Sequence, residues 1–129
     1  AVPGETDLDK MLASLQVERR PGVFTYVAVA VPTPELLAAA HGIVNEAEST
    51  TLILPVEAAE LAGLRVDIEL AWLSLTVESS LEAVGLTAAF AATLGAHDIP
   101  CNVLAGYHHD HILVPLDKAQ RAIDALTAG

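Results

Sequence analysis

A single cysteine, Cys101, stands in 129 residues. One thiol excludes an intrachain disulfide and fits a reducing compartment. Aromatic residues are nearly as scarce: two Phe, two Tyr and Trp72 make up 4% of a chain that is 53% apolar. The core must therefore be built from Ala, Val, Leu and Ile, and Trp72 and Tyr107 read first as packing residues. Basic side chains are few as well. Six Lys and Arg face seventeen Asp and Glu, for a net charge of −11. Four of the six stand alone and Arg19-Arg20 is the one pair, so nucleic acid and anionic lipid are poor partners. No apolar run is long enough to cross a membrane. The best candidate, residues 83–96, is interrupted by Gly85, Thr87, Thr93 and Gly95 and falls short of the roughly 20 residues a spanning helix needs. The opening stretch has no basic segment followed by an apolar run, so no secretion signal is expected and a cytoplasmic location is. The mean hydropathy is high for a soluble chain, which leaves apolar surface for a partner subunit and favours an oligomer.

What is present is a regular alternation of strand and helix signals. Residues 6–15 have helical spacing: Thr6 as cap, Asp7 and Asp9 in the first turn, and Leu8, Met11, Leu12 and Leu15 recurring on one face. After the break at Pro21-Gly22, residues 23–31 form an apolar strand, ended by Pro32 and Pro34, and a short helix occupies residues 35–40. Two strands follow, residues 43–48 and 51–54, around the turn "EAES". Pro55 opens a helix at its first position and Gly63 closes it. Residues 66–77 read as one long strand. Ser79 and Glu82 have the spacing of a capping box at the start of the longest helix, whose stripe is Leu81, Val84, Ala88, Ala91 and Ala92. Residues 101–107 and 111–114 are the arms of a hairpin. Pro115 opens the last helix, with Ala119, Ala122, Ile123 and Leu126 on one face.

"LILPVEAAELAGL" from Leu52 is echoed by "ILVPLDKAQRAIDAL" from Ile112: strand, Pro, apolar residue, acid, then a helix with Ala at matching places. The echo reads as two βαββα halves. With right-handed crossovers each half makes an antiparallel sheet with helices on one face, an α+β, ferredoxin-like plan. The second half lacks its own last strand, which the first half or the strand at residues 66–77 could supply. We divide the chain at 1–65 and 66–129.

"GYHHDHILVP" is the densest polar cluster, with three of the five histidines and an aspartate in four consecutive positions. Successive strand residues point to opposite faces. At most His109 with His111, or His108 with Asp110, would share one, whereas zinc needs three or four converging ligands. His41 and His97 lie in turns of their own. A polar hairpin turn is the stronger reading and a metal centre the weaker. A hydrolase built on Cys101 or on a Ser–His–Asp set is weaker still. There is no G-x-S-x-G elbow, and Cys101 opens an apolar strand where a buried thiol is the commoner case.

The pieces "SSLEAVGLTAA", "HDIPCNVLAGY" and "DHILVP", within residues 72–126, resemble the ACT-domain family. They are similar to the second unit of small bacterial tandem-ACT proteins of unassigned activity, and to ACT units of aspartokinases and of arginine-sensing tandem-ACT proteins. "GETDLDKMLASL" resembles the start of those small bacterial proteins, and the first half resembles a degenerate ACT unit. The resemblance implies a βαββαβ sandwich and a regulatory module, not an enzyme, that binds an amino acid at an ACT–ACT interface without a cofactor or a metal. It places ligand contacts at the loop Glu78, Ser79, Ser80 and Leu81, and on the strand at Leu104, Ala105, Gly106 and Tyr107. Asp110 is singled out because a matching turn acid meets ligand in the arginine-sensing relatives. Free amides at a helix start attract a carboxylate, and a nearby acid pairs with an α-ammonium. Many ACT units carry Asp and Pro-Gly in the loop, where this chain has Glu78 and two serines. A structural or protein-interaction module without ligand is the alternative, and a small metal-dependent enzyme using the histidines comes after it.

Overall fold

The computed structural model describes residues 12–77 and 85–127. In chain order the elements are β1 (Gln16–Arg19), β2 (Phe24–Val29), α1 (Pro34–Ala39), β3 (Gly42–Asn45), β4 (Thr50–Pro55), α2 (Val56–Leu61), β5 (Leu70–Thr76), α3 (Leu86–Ala96), β6 (Asn102–Ala105), β7 (Asp110–Pro115) and α4 (Ala119–Thr127). A 3-10 turn, Leu116–Lys118, leads into α4. Of the helix expected over residues 6–15, residues 12–14 are helical and residues 6–11 lie outside the described residues. The chain forms two units: Pro21–Ala71, and Ala1–Arg20 together with Trp72–Gly129.

In the unit Pro21–Ala71, β4 lies between β3 and β2, antiparallel to both. Leu70, opposite Phe24, adds a position on the far side of β2. The apolar run expected over residues 23–31 supplies β2, and Phe24, Thr25 and Val27 in it are buried. Thr33 caps α1 by accepting from the backbone N–H of Leu36 at 3.2 Å, with Pro34 in the first turn. Pro55 is the N-cap of α2 rather than its first helical residue. Gly63 ends that helix region with φ +72, a conformation costly for any residue with a Cβ. Val27, Leu36, Leu52, Leu54 and Ala59 close the core, with Leu64 and Val66 packed against it. Each fully buried Leu contributes roughly 1.5–3 kcal/mol. The long strand expected over residues 66–77 is shorter than read. It begins at Leu70, and residues 64–69 have no regular structure. The alternation Val66-Asp67-Ile68-Glu69 does not mark a strand face: Val66 serves the helix-side core, and Asp67 pairs with Arg65 at the surface.

In the other unit, β5 lies between β1 and β7, and β6 pairs with β7 at the edge. The missing last strand of the second half is therefore β1, at Gln16–Arg19 opposite Leu73–Thr76. It was not expected as a strand. "QVER" has a single apolar residue and is mostly exposed, as an edge strand can be. The backbone N–H of Arg20 extends the pairing to the carbonyl of Trp72 at 2.9 Å. The apolar stripe read for the long helix is corrected. α3 begins at Leu86 and buries Leu86, Ala89, Phe90 and Leu94, while Ala88, Ala91 and Ala92 are exposed. Gly85 ahead of it has φ +86, so the phase set by Leu81 and Val84 does not run through, and the bulkier Phe90 takes the inward position. Leu81, Val84 and the capping box Ser79–Glu82 lie outside the described residues. In α4, Ala119, Ala122 and Leu126 are buried and Ile123 is half-buried.

The internal echo is carried by the fold. Adding 60 to a residue number maps β3 onto β6 and β4 onto β7 without a gap. The burial sequence of residues 50–60 recurs residue for residue at 110–120. Even the turn bond repeats: Glu46 N–H to the Ser49 carbonyl and Gly106 N–H to the His109 carbonyl, both 2.9 Å. Both halves follow one strand order, the third strand beside the first and the second beyond the third. This is the α+β, ferredoxin-like plan in two copies.

Candidate functional site

The β6–β7 hairpin pairs Leu104 with His111 and Ala105 with Asp110, so its tip is residues 106–109. Period-2 alternation then puts His109 and His111 on one face, and the face-sharing read from sequence holds. On that face they meet Trp72, Ser74 and Thr76, alternate residues of β5. The hydroxyl of Thr76 is 3.1 Å from Nδ1 of His109. Nδ1 of His111 lies 3.2 Å from the indole Nε1 of Trp72 and 2.9 Å from Oγ of Ser74. The two rings meet edge-to-face at 5.5 Å between centroids. The guanidinium of Arg20 sits 4.1 Å from the centroid of the Trp72 ring, within cation–π range.

An indole N–H can only donate. Nδ1 of His111 must therefore carry its lone pair, which leaves the proton of the neutral ring on Nε2. Burial pushes the His111 pKa below the ordinary imidazole value, the Arg20 guanidinium and then His109 push the same way, and Asp110 opposes them. Nε2 faces Gly106, where an added Cβ would come within 3.0 Å of it. Glycine is needed here for close approach.

The residues expected to contact ligand fall into two groups. Leu104, Ala105, Gly106, Tyr107 and Asp110 are gathered on one hairpin. Asp110 and Leu104 are half-buried, and Tyr107 is 98% exposed at the tip. Glu78, Ser79, Ser80 and Leu81 lie outside the described residues. The Thr76–His109 bond holds the tip beside the end of β5, two residues before Glu78. The meeting of Trp72, Ser74 and His111 was missed from sequence. Its one signal was the alternation Trp72, Ser74, Thr76 on a strand ending next to the hairpin.

Ser74 and His111 touch, but among the described residues no carboxylate orients the imidazole as a hydrolase dyad would need. The Nδ1 lone pair that faces Ser74 is shared with the Trp72 N–H, which makes it a weaker base toward the serine proton. Asp110 directly precedes His111 in β7 and so points to the other face, and Nε2 lies close to Gly106. Burial raises the pKa of Cys101, the opposite of what an activated nucleophile needs. Among the described residues no three His, Cys, Asp or Glu side chains come together to hold a metal, and no helix is long and apolar enough to cross a membrane. The matching turn of the other unit is polar in a different way: Thr51 donates to Glu46 and Thr50 to Asn45. That unit also carries a largely apolar cleft of about 480 Å³ between α1 and α2, lined by Leu36, Ala39, Ala58, Leu61 and Ala62 with Thr33 and Glu35. None of the expected ligand contacts lines it.

Residues 3–71 and residues 67–128 each match a family model of the ACT domain. The chain belongs to the ACT-domain family. It is a tandem-ACT protein, and ACT domains are regulatory units. Among solved structures it is similar to a Vibrio cholerae protein of unknown function, described as a possible transport protein. That pair shares 39% identity over 96% of this chain and 94% of the other, with a TM-score of 0.85. A protein from Agrobacterium tumefaciens shares the fold at a TM-score of 0.65 and 13% identity, covering 88% of this chain and 87% of that one. So does the ligand-free regulatory subunit of aspartate kinase from Thermus thermophilus, at 0.59 and 14%, over 87% of this chain and 94% of that one. No curated protein matches.

Proposed function

We propose that this tandem-ACT protein is a cytoplasmic homodimer that senses an amino acid at an ACT–ACT interface and has no catalytic role. The Thr76–His109 bond carries the reading for this chain. It ties the hairpin holding Leu104, Ala105, Gly106, Tyr107 and Asp110 to the strand that runs into Glu78, Ser79, Ser80 and Leu81. In this reading the hairpin backbone and the serines hold the ligand's α-groups, and the Asp110 carboxylate meets a basic side chain. A ligand-free assembly module is the second reading. It is favoured by the open edge strands β3 and β6, where Ile43, Val44 and Val103 are 46%, 46% and 41% exposed.

A thermal-shift screen of the amino acids, followed by calorimetry, tests the first reading. A ligand at about 100 times its Kd adds roughly 2.7 kcal/mol, and Asp110→Asn should weaken basic amino acids selectively. A flat response to all of them by both methods would leave the assembly reading. Light scattering then reads the oligomer directly.

A further inference from the structure

We propose that His111 is a proton-operated latch on the β6–β7 hairpin: neutral, it ties the hairpin to β5 through Trp72 and Ser74, and protonated it lets go. The geometry requires the asymmetry. Trp72 offers a donor that cannot become an acceptor, 3.2 Å from Nδ1. A proton on Nδ1 would set two N–H groups head to head. The Ser74 hydroxyl, at 2.9 Å, can rotate to accept from the imidazolium, but the indole cannot, and the ring must turn or withdraw. Among the described residues Nε2 makes no bond to a carboxylate that would compensate, and it lies close to Gly106.

The surroundings work in the same direction. Among the described residues, β5 presents Trp72, Ser74 and Thr76 to this face, none of which titrates in the relevant range. β6 presents Leu104, and the hairpin tip presents Gly106. Beyond β5, Glu18 on β1 stands opposite Ser74, and Arg20 lies over the indole. His109 and Asp110 are the charged or titratable neighbours from the hairpin itself. Arg20 and His109 oppose a second positive charge and Asp110 favours it. The latch is set next to residues 104–107 and Asp110, so its release would move the proposed ligand contacts. That consequence rests on the ligand reading; the latch itself does not.

Trp72 is the only indole in the chain, and an imidazolium quenches indole emission where a neutral imidazole does not. The full-length protein, excited at the red edge of the indole band, should lose emission in one step between about pH 8 and pH 5. The midpoint should lie below the ordinary histidine value of 6.5. The step should vanish in His111→Gln, which keeps an acceptor without the titration, and persist in His109→Gln. Asp110→Asn should move the midpoint lower. Flat wild-type emission, or an unchanged step in His111→Gln, overturns the latch. Nitrogen NMR of the unsubstituted protein gives a readout independent of any variant's folding: at neutral pH Nδ1 of His111 should be unprotonated, and an Nδ1–H tautomer overturns the proposal. A flat amino-acid screen at neutral pH, with the emission step present, overturns the ligand reading and supports the latch alone.

Discussion

The indole N–H of Trp72 points at Nδ1 of His111 across 39 residues of sequence, at 3.2 Å. This one bond decides which nitrogen of the histidine holds the proton, and it makes the neutral ring the form that suits the folded state.

Stability should follow. The folded pKa of His111 is lowered, first by burial, so the unfolded chain binds the proton more readily. The stabilising contribution is then fully present above about pH 6.5 and is lost as pH falls from there through the folded value. Thermal melts across this range should show a falling Tm in the wild type. His111→Gln should flatten that slope relative to the wild type, leaving the carboxylates to act at lower pH. Equal slopes in the two proteins would mean that another group carries the dependence.

Two glycines should respond to alanine with opposite signs. A Cβ at Gly106 would lie 2.8 Å from the His109 carbonyl and 3.0 Å from Nε2 of His111. The backbone atom cannot move aside cheaply. Gly106→Ala should cost about 1–3 kcal/mol and shift Trp72 emission through the displaced ring. Gly95 lies in α3 with nothing within 4 Å of an added Cβ. Gly95→Ala should add up to about 0.5 kcal/mol, part of the gain seen in a helix interior, because Gly95 lies in the last turn of α3. Urea unfolding of the three proteins settles both signs.

How far the sequence could be read depended on what each element does. β2, β4 and β7 were legible because each is an apolar run ended by proline or a turn, and β4 and β7 are near copies. β1 was not, because a short edge strand needs few apolar residues and "QVER" has only Val17. The phase of α3 was misread because the pattern was carried through Gly85, whose backbone is left-handed. At the hairpin, strand alternation correctly put His109 and His111 on one face. Their partners on β5 could not be read, since pairing register across 33 to 39 residues leaves no local trace. The ligand contacts came from family resemblance, and the structure adds only that those on the hairpin share one element.

Thr25 offers a stabilising change. Its side chain is fully buried in β2, opposite Leu54. Its hydroxyl is buried and has no hydrogen-bond partner among the described residues. Such a group gives up its hydration for nothing, at about 1–3 kcal/mol. Thr25→Val keeps the β-branched shape and the strand preference, and removes the hydroxyl. Chemical denaturation should show a gain of about 1 kcal/mol with an unchanged m-value. A loss would mean that the hydroxyl meets a bound water that valine displaces.

Cys101 should behave as a quiet thiol. It is half-buried at the entry to β6, and burial raises its pKa above the ordinary 9.0. Thiolate is the reacting form, so both effects slow attack on an electrophile. Alkylation by iodoacetamide at neutral pH should run well below the rate of a small free thiol. It should rise with pH along a curve displaced to the alkaline side, and it should reach the free-thiol rate only in denaturant. A fast reaction at neutral pH, with a midpoint on the acid side of the free thiol, would mark an activated nucleophile and reopen the hydrolase reading of Cys101. The experiment thus tests the regulatory assignment from the side of chemistry, independently of whether any amino acid binds.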